Sequence, residues 1–587
     1  MSDLKQIDIV EATTETEQIK ETATPKKNVS GSEAVILSLL EEGVDTIFGY
    51  PGGAIMPIYD ALYDFQDRIN HILVRHEQGA SHAAEGYARI NNKVGVCWAT
   101  SGPGATNLVT GIADAMIDST PMVCITGQVA SHLLGTDAFQ ETDVMGITMP
   151  ITKWSYQITS ADEIPEVIAK AFYIANSGRP GPVLIDITKD AQFAKTDFEY
   201  KKCTGVRSYV ADVTPKETSL IAAAEIINNA HKPMILAGHG ILLSGAQKEF
   251  IEFVEKSGIP VASTLLGLSA FPEDHELYMG MLGMHGNYAP NLLTNEADVI
   301  IAIGMRFDDR VTGDLSTYAK QATVIHIEID PAEINKIVKA DVAIVSDAKL
   351  AINKLLPLTQ KRTYPDWYHR FNHLRQMEFD KVIKNDIHPK SGGIKMAEVI
   401  NQISEKTKGE AIIVTDVGQH QMIAARYYKH TKTDSWVSSG GLGTMGFALP
   451  AAFGAKMAQP TREVIAVIGD GGFQMTLQEL ATIKQTGLPV KVLILNNSFL
   501  GMVRQWQELF FEKRYSSTEM VNPDFVAISK GFGIDALQVS SRENLNEGID
   551  KMLNTDDSFL LEVIVEKEDN VFPMVPTGAS VSDCRLD

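Results

Sequence analysis

The chain has 587 residues, with 52 Lys and Arg against 74 Asp and Glu and a formal net charge of −22; so acidic a protein argues against nucleic acid and anionic membranes as partners, while leaving room for a basic pocket inside. That length exceeds what one hydrophobic core organises, so three or four units are expected. No apolar run approaches the ~20 residues of a membrane-spanning helix, and four cysteines without a CxxC pair (Cys97, Cys124, Cys203, Cys584) suit free thiols in a reducing cytoplasm.

Residues 1–27 are polar, lack an apolar signal core and carry no arginine, and read as a disordered tail. A first unit, residues 28–196, contains the strand His71 to Val74, the turn Arg75-His76-Glu77-Gln78-Gly79 and a small-residue helix through Ala83-Ala84-Glu85-Gly86-Tyr87-Ala88. Between Val94 and Gly127 it runs strand, turn (Ser101-Gly102-Pro103-Gly104), helix, Pro121, strand. Phe193 to Pro215 reads as a polar linker into a second unit, residues 197–360, with strands at Pro233–Gly238, Val299–Gly304 and Thr323–Ile329. The third unit, residues 361–575, opens on a charged helical stretch from Tyr364 to Asp386. Between Val464 and Asn497 it repeats the order of the first unit: strand, turn (Gly469-Asp470-Gly471-Gly472), helix, Pro489, strand. Residues 576–587 offer no clear element. Alternation of strand and helix throughout predicts an α/β fold of three doubly wound, mostly parallel sheets covered by helices.

Asp470 and Asn497 both fall at carboxyl ends of strands, where open α/β sheets bind ligands. Glycines there admit a pyrophosphate, and a carboxylate with an amide oxygen suits a hard cation. The acid and amide alone fit a loop and a cap equally well. The full string from Gly469 to Asn497, however, resembles the diphosphate motif of thiamin diphosphate (ThDP) enzymes, whose pyruvate oxidase- and decarboxylase-like architecture has three such domains.

That resemblance implies a set of roles. Glu77 becomes the carboxylate that shares a proton with the coenzyme's pyrimidine nitrogen. Met445, within Ser438-Ser439-Gly440-Gly441-Leu442-Gly443-Thr444-Met445-Gly446, becomes the apolar support of the bent coenzyme; a lone methionine is otherwise a core gap filler. Gly418, Gln419 and His420, with Gly443, Gly469, Gly471 and Gly472, hold the diphosphate. Pro51, Gly501 and Met502 complete the coenzyme site, and Asp470, Asn497 and Phe499 the magnesium site. Glu77 lies in the first unit and Asp470 in the third, so the family's site forms between domains of two subunits, giving a homodimer or tetramer.

Closer still, the chain resembles the catalytic large subunits of the biosynthetic acetolactate synthase (acetohydroxyacid synthase) family, from about Asn28 to Val575. The segments that carry this are Phe48 to Ala54, Asp137 to Glu141, Gly304 to Gly313 and Gly501 to Trp506. The string Arg306-Phe307-Asp308-Asp309-Arg310-Val311 alone reads as a surface ion-pair loop; in this family it contributes to a FAD site. With Gly238, His239 and Gly240, and with Gly283, Met284 and His285, it implies a flavin-binding middle domain. Gly304, Met305, Glu328 and Ile329 belong to the same set. So do Arg179, Thr264, Leu265, Asp347 and Ala348.

The implied reaction decarboxylates pyruvate and condenses it with a second pyruvate or with 2-oxobutyrate, the entry to valine, leucine and isoleucine synthesis. It has no net redox change, so FAD is structural. Gly53, Phe139 and Gln140 are placed beside the reacting centre and Lys189 at the channel mouth. Trp506 and Met502 narrow the acceptor pocket. Thr188 and Gly472 depart from the commoner proline and serine, and Ser580 to Asp587 matches no family segment. A pyruvate oxidase-type ThDP/FAD oxidoreductase is the alternative; glyoxylate carboligase lacks the glutamate represented by Glu77, and an inactive scaffold disagrees with Glu77, Asp470, Asn497 and Gln140 being intact. A small regulatory subunit is a possible partner.

Overall fold

The computed structural model describes residues 27–211 and 214–587. Of the tail expected over residues 1–27, residues 1–26 lie outside them. Three six-stranded sheets, parallel at every strand pair, follow one another along the chain. In space the first runs Asn70–Leu73, Thr46–Gly49, Gly95–Ala99, Met122–Gln128, Pro182–Thr188, Trp154–Ile158. The third runs Trp436–Ser438, Ile412–Thr415, Val464–Gly469, Lys491–Asn496, Phe559–Ile564, Asp535–Val539. Numbered by chain order within each sheet, both read 2-1-3-4-6-5. The repeated strand-turn-helix pattern of the sequence therefore corresponds to one shared topology.

The middle sheet differs, reading 3-2-1-4-5-6 from Tyr278–Met281 to Val342–Val345. Its order reverses between Pro233–Ala237 and Val299–Ile303. Central strands such as Val464–Gly469 and Lys491–Asn496 are buried almost throughout, which is why they read as unbroken apolar runs. Helices cover both faces, and ligand sites are confined to crevices at the strands' carboxyl ends, where the order reverses.

Two helices join the first unit to the third. Glu77–Asn91 begins at the His76 cap, whose ring accepts from Gln78 N, and ends at Asn92 in the left-handed region (φ 55°). It packs on Ala448–Ala458 at backbone contact. A Cβ on Gly86 would lie 2.0 Å from the Ala451 carbonyl oxygen, and one on Gly454 would lie 2.0 Å from that of Ala83. Small residues at these positions are what permit the approach. The Glu479 carboxylate adds a polar tie, accepting from the backbone N–H groups of Arg75 (3.0 Å) and His76 (3.1 Å).

Two expectations change. The stretch read as a linker holds a strand, Lys195–Phe198, paired antiparallel with Lys27–Ser30. The last residues, expected to lack an element, form a short turn at Val581–Asp583 docked on the middle unit. Asp314 N donates to Ala579 O, Asn295 donates to Ser582 Oγ at 2.8 Å, and Val581 and Cys584 are buried. No local periodicity signals this segment because its partners lie almost three hundred positions away.

Burial raises the Glu479 carboxyl from 4.5 to about 7. Between those values the folded chain holds a proton that the unfolded chain releases, so stability falls as pH rises through the window. Glu479→Gln keeps the acceptor oxygen and removes the titration. It is expected to gain about 1–3 kcal/mol relative to wild type between about pH 5 and pH 8 in denaturant unfolding. A difference constant across that range would contradict the buried-carboxyl account.

Candidate active site

The strand order of the third sheet reverses between Ile412–Thr415 and Val464–Gly469, and a cavity of about 170 Å³ opens there. Gly418, Gln419 and His420 line it from one strand end, and Gly469, Asp470, Gly471 and Gly472 from the other. Asn497, Phe499, Gly501, Met502 and Met445 complete it. Burial raises the Asp470 carboxyl to about 6, and its Oδ2 accepts from Asn522 Nδ2 at 2.6 Å. Asn497 Oδ1 accepts from Phe499 N at 3.1 Å, while its amide donates to Gln419 Oε1 at 3.2 Å. Asn522 lies in a loop without a motif and was missed from sequence.

Below this cavity Asp416 joins three segments. It bonds His420 Nε2 at 2.5 Å and accepts from Gly446 N at 2.8 Å, beside Met445. A Cβ at residue 472 would lie 1.9 Å from Asp416 Oδ2, so glycine, in place of the commoner serine, fits this arrangement.

The first sheet's matching edge carries a second group of residues. Glu77, 8% exposed, accepts from Asn107 Nδ2 at 2.9 Å, and Gly104 closes on its other oxygen. Thr100 Oγ1 accepts from Ala54 N, and a Cβ on Gly52 would meet Thr100 at 2.5 Å. Gln140, at φ 61°, approaches Gly102. Lys189 opens the helix after Pro182–Thr188, and its neighbour Asp190 accepts from Ser131 N, anchoring the loop that leads to Gln140. Pro51 and Gly53 are exposed, and Phe139 is 88% exposed. Glu77, Pro51, Gly53, Phe139, Gln140 and Lys189 line neither cavity of their own chain. One chain thus holds this group of residues outside both cavities.

At the middle sheet's reversal lies a larger cavity of about 920 Å³. His239, Gly240, Gly304, Met305 and Arg306 line it from the two strand ends that diverge there. Thr264 and Leu265 join them, as do Gly283, Met284 and His285. Asp308, Arg310 and Val311 continue the wall, with Glu328, Ile329, Asp347 and Ala348 along the next strand ends. Arg179 reaches in from the first unit. Gly238 alone of the predicted set does not line it: a Cβ there would lie 2.2 Å from Gly304 O, so its role is close packing beneath the floor. Ile117, Asp118, Ser119 and Tyr173 also line the cavity and carried no sequence signal, because they sit near helix ends of the first unit.

The polar groups divide by task. Asp308 and Asp347 cap helices, accepting from Arg310 N and Leu350 N. Arg179 donates to Glu333 at 2.9 Å and to Ser119 Oγ, whereas no carboxylate pairs with Arg306 among the described residues. Burial holds His239 at about 4; His285 falls to about 3 through burial and then the charges of Arg426 and Arg310. His285 Nε2 is buried and without a partner, and burial raises Glu328 to about 7. Neutral rings, one unpaired guanidinium and an adaptable carboxyl suit a large ligand with anionic and hydroxyl groups.

The two cavities share Val417, Gly418 and Met502. Gly440, Gly441, Leu442 and Gly443 form one wall of the larger, and Trp506 joins them from the helix Gly501–Phe510. That helix is pinned by the later chain: Arg504 donates to Asp569 O and Asn570 Oδ1 at 2.8 Å, and Gln505 Oε1 accepts from Val571 N at 2.9 Å.

Comparison with known proteins matches all three units. Residues 29–147 fit the thiamine pyrophosphate enzyme N-terminal TPP binding domain, residues 220–355 the central domain, and residues 416–563 the C-terminal TPP binding domain. The acetolactate synthase isozyme 2 large subunit of Escherichia coli K12 is 47% identical over 557 residues, covering 94% of this chain and 99% of that protein. The acetolactate synthase large subunit of Corynebacterium glutamicum is 47% identical over 572 residues (96% and 91%), and that of Lactococcus lactis 47% over 561 residues (94% and 95%).

Proposed function

The chain belongs to the acetolactate synthase large-subunit family of thiamine pyrophosphate enzymes, and from that premise we propose how its residues divide the reaction. It is an enzyme, a ThDP-dependent transferase that makes acetolactate from pyruvate, in branched-chain amino acid biosynthesis. An oxidase reading is not favoured. Residues 28–196 are assigned to the pyrimidine, 197–360 to a flavin, and 361–575 to the diphosphate and magnesium.

The observation that carries this assignment is that Glu77 does not line the Asp470 cavity of its own chain. Asp470, Asn497, Phe499 and Met445 line one small cavity, and Glu77 is absent from it. A second copy supplying Glu77, Gly53, Phe139 and Gln140 would complete the site, which makes a homodimer the functional unit. The large exposure of Phe139 in the single chain fits a residue that a second copy covers. Magnesium fits the small cavity: a buried carboxylate, an amide oxygen and the Phe499 main chain are hard donors, and a cation would relieve the burial that raises Asp470. FAD fits the larger one by its volume, its strand order and the unsatisfied His285 Nε2.

When bound, ThDP supplies a nucleophilic carbon and an electron sink for decarboxylation. Glu77, held by Asn107, keeps a proton at the pyrimidine nitrogen. Gly53, with no atom within 4 Å of where its Cβ would lie, leaves room for substrate, and Gln140 is assigned a place beside the reacting centre. Lys189 attracts the anionic 2-oxo acid to the mouth. Trp506 and Met502 bound the acceptor space, so that the extra methyl of 2-oxobutyrate gains apolar contact. A small regulatory subunit is a possible further partner, as the large-subunit names of the relatives imply. No helix among the described residues is long and apolar enough to cross a membrane.

Purified protein given pyruvate, ThDP and magnesium without oxygen is expected to form acetolactate. Oxygen-dependent peroxide with acetyl phosphate, and no acetolactate, would overturn the assignment. Glu77→Gln is expected to slow deuterium exchange at the coenzyme's thiazolium carbon by about 10²-fold or more; near-normal exchange removes Glu77 from its role. Trp506→Leu is expected to lower the preference for 2-oxobutyrate about fivefold in a two-substrate competition, with pyruvate condensation largely kept. Unchanged product ratios would detach Trp506 from acceptor selection.

A further inference from the structure

The glycine loop between the two cavities is held by the first unit of its own chain, through residues that do not themselves line the smaller cavity. Asp118, the last residue of its helix before the left-handed cap at Ser119, accepts from Gly440 N at 2.8 Å and from Gly441 N at 2.7 Å. Arg89 bonds the same carboxylate at 2.9 Å and donates to Ser438 O at 2.6 Å. Ser439 Oγ donates to Asp114 Oδ1 at 2.9 Å and accepts from Thr444 N at 2.7 Å, beside Met445. Arg89, Asp114 and Asp118 are almost fully buried.

We infer that Asp118, supported by Arg89, is a positioning residue for ThDP: it fixes the backbone of residues 438–444 and thereby sets Met445 against the coenzyme. This inference rests on the assignment of the small cavity to ThDP. Three donors converge on one carboxylate, and hydrogen bonds to a charged acceptor are stronger than neutral ones. Glycines at 440 and 441 have little side-chain packing to hold them; a Cβ on Gly441 would meet Asp118 Oδ1 at 2.8 Å, so the clamp also excludes larger residues. Around it Glu85 and Asp114 are raised by burial and His82 is lowered by it to about 4, so this pocket disfavours additional charge. Within the dimer each first unit then serves both sites. Its Glu77 reaches the partner's coenzyme, and its Asp118 steadies the loop beneath the coenzyme bound to its own third unit.

The wall has a second face. Asp118 O meets His239 Nδ1 at 3.1 Å, and Ile117, Asp118 and Ser119 line the larger cavity together with Gly440 and Gly441. The clamp is therefore also the contact between that cavity and the coenzyme loop.

Full-length protein saturated with FAD and magnesium distinguishes these roles. Asp118→Asn leaves one carbonyl oxygen for donors that now use two, and turns an amide towards a donor. ThDP affinity by titration calorimetry is expected to fall about tenfold or more, with slower deuterium exchange at the thiazolium carbon and bound flavin retained. A merely structural Asp118 would lower the thermal midpoint of the ThDP-free protein and leave affinity and exchange in the folded protein unchanged, which overturns the inference. Should Asp118→Asn fail to fold, Ser439→Ala decides, since it keeps the ion pair: about threefold weaker ThDP binding supports the clamp, and unchanged binding overturns it. Wild-type protein that takes up no ThDP would overturn the reading of the small cavity and this inference with it. Uptake by wild type with indistinguishable variants overturns this inference alone.

Discussion

The backbone contact between Glu77–Asn91 and Ala448–Ala458 is the constraint on which the rest of the molecule depends. At Gly86 and Gly454 any side chain would meet a carbonyl oxygen of the other helix. Larger residues would hold the helices apart and move every group carried by either, since packed interiors absorb little displacement. Glu479 on the backbone before Glu77 and Asp118 on the glycine loop belong to the same interface. A helix contact made of alanine and glycine thus sets the relative position of the Glu77 group and the Asp470 cavity within one chain.

Topology decides where ligands can bind. Each sheet reverses its strand order beside its first strand, and each of these reversals is occupied by glycine-bearing turns. The first and third sheets share an order, and the middle sheet has the arrangement associated with dinucleotide binding. Because Val417, Gly418 and Met502 border both cavities, a ligand in the large one bears on the walls of the small one. The large cavity lies beside the glycine loop Gly440–Gly443, which forms one of its walls.

Much of the site was legible because its signals are local. Gly469 to Asn497 writes strand, turn, helix and strand in sequence, and the burial of both strands follows from their unbroken apolar runs. Arg306 to Val311 could be assigned only through resemblance, since the residues alone fit a surface loop; the structure puts Arg306, Asp308, Arg310 and Val311 on one cavity wall. Gly238 was read as a member of the flavin set and not as a packing residue, because its neighbour Gly304 arrives from another strand. Asn522, Ile117, Ser119 and the docked segment after Val575 left no mark in any local pattern. Their partners lie tens to hundreds of positions away along the chain, and nothing in their own spacing encodes those contacts.

The sequence by itself determined the three α/β units, the kinship of the first and third, and the residue types at each strand end, since period, apolar run and turn chemistry act over a few neighbours. Only the tertiary structure decided the strand orders, the sharing of walls between cavities, the separation of Glu77 from its own chain's Asp470 pocket, and the clamp on the glycine loop. These depend on which helices can approach to backbone contact and on which carboxylates then meet which N–H groups. Such contacts join positions tens to hundreds of residues apart, and they exist only once the sheets have packed.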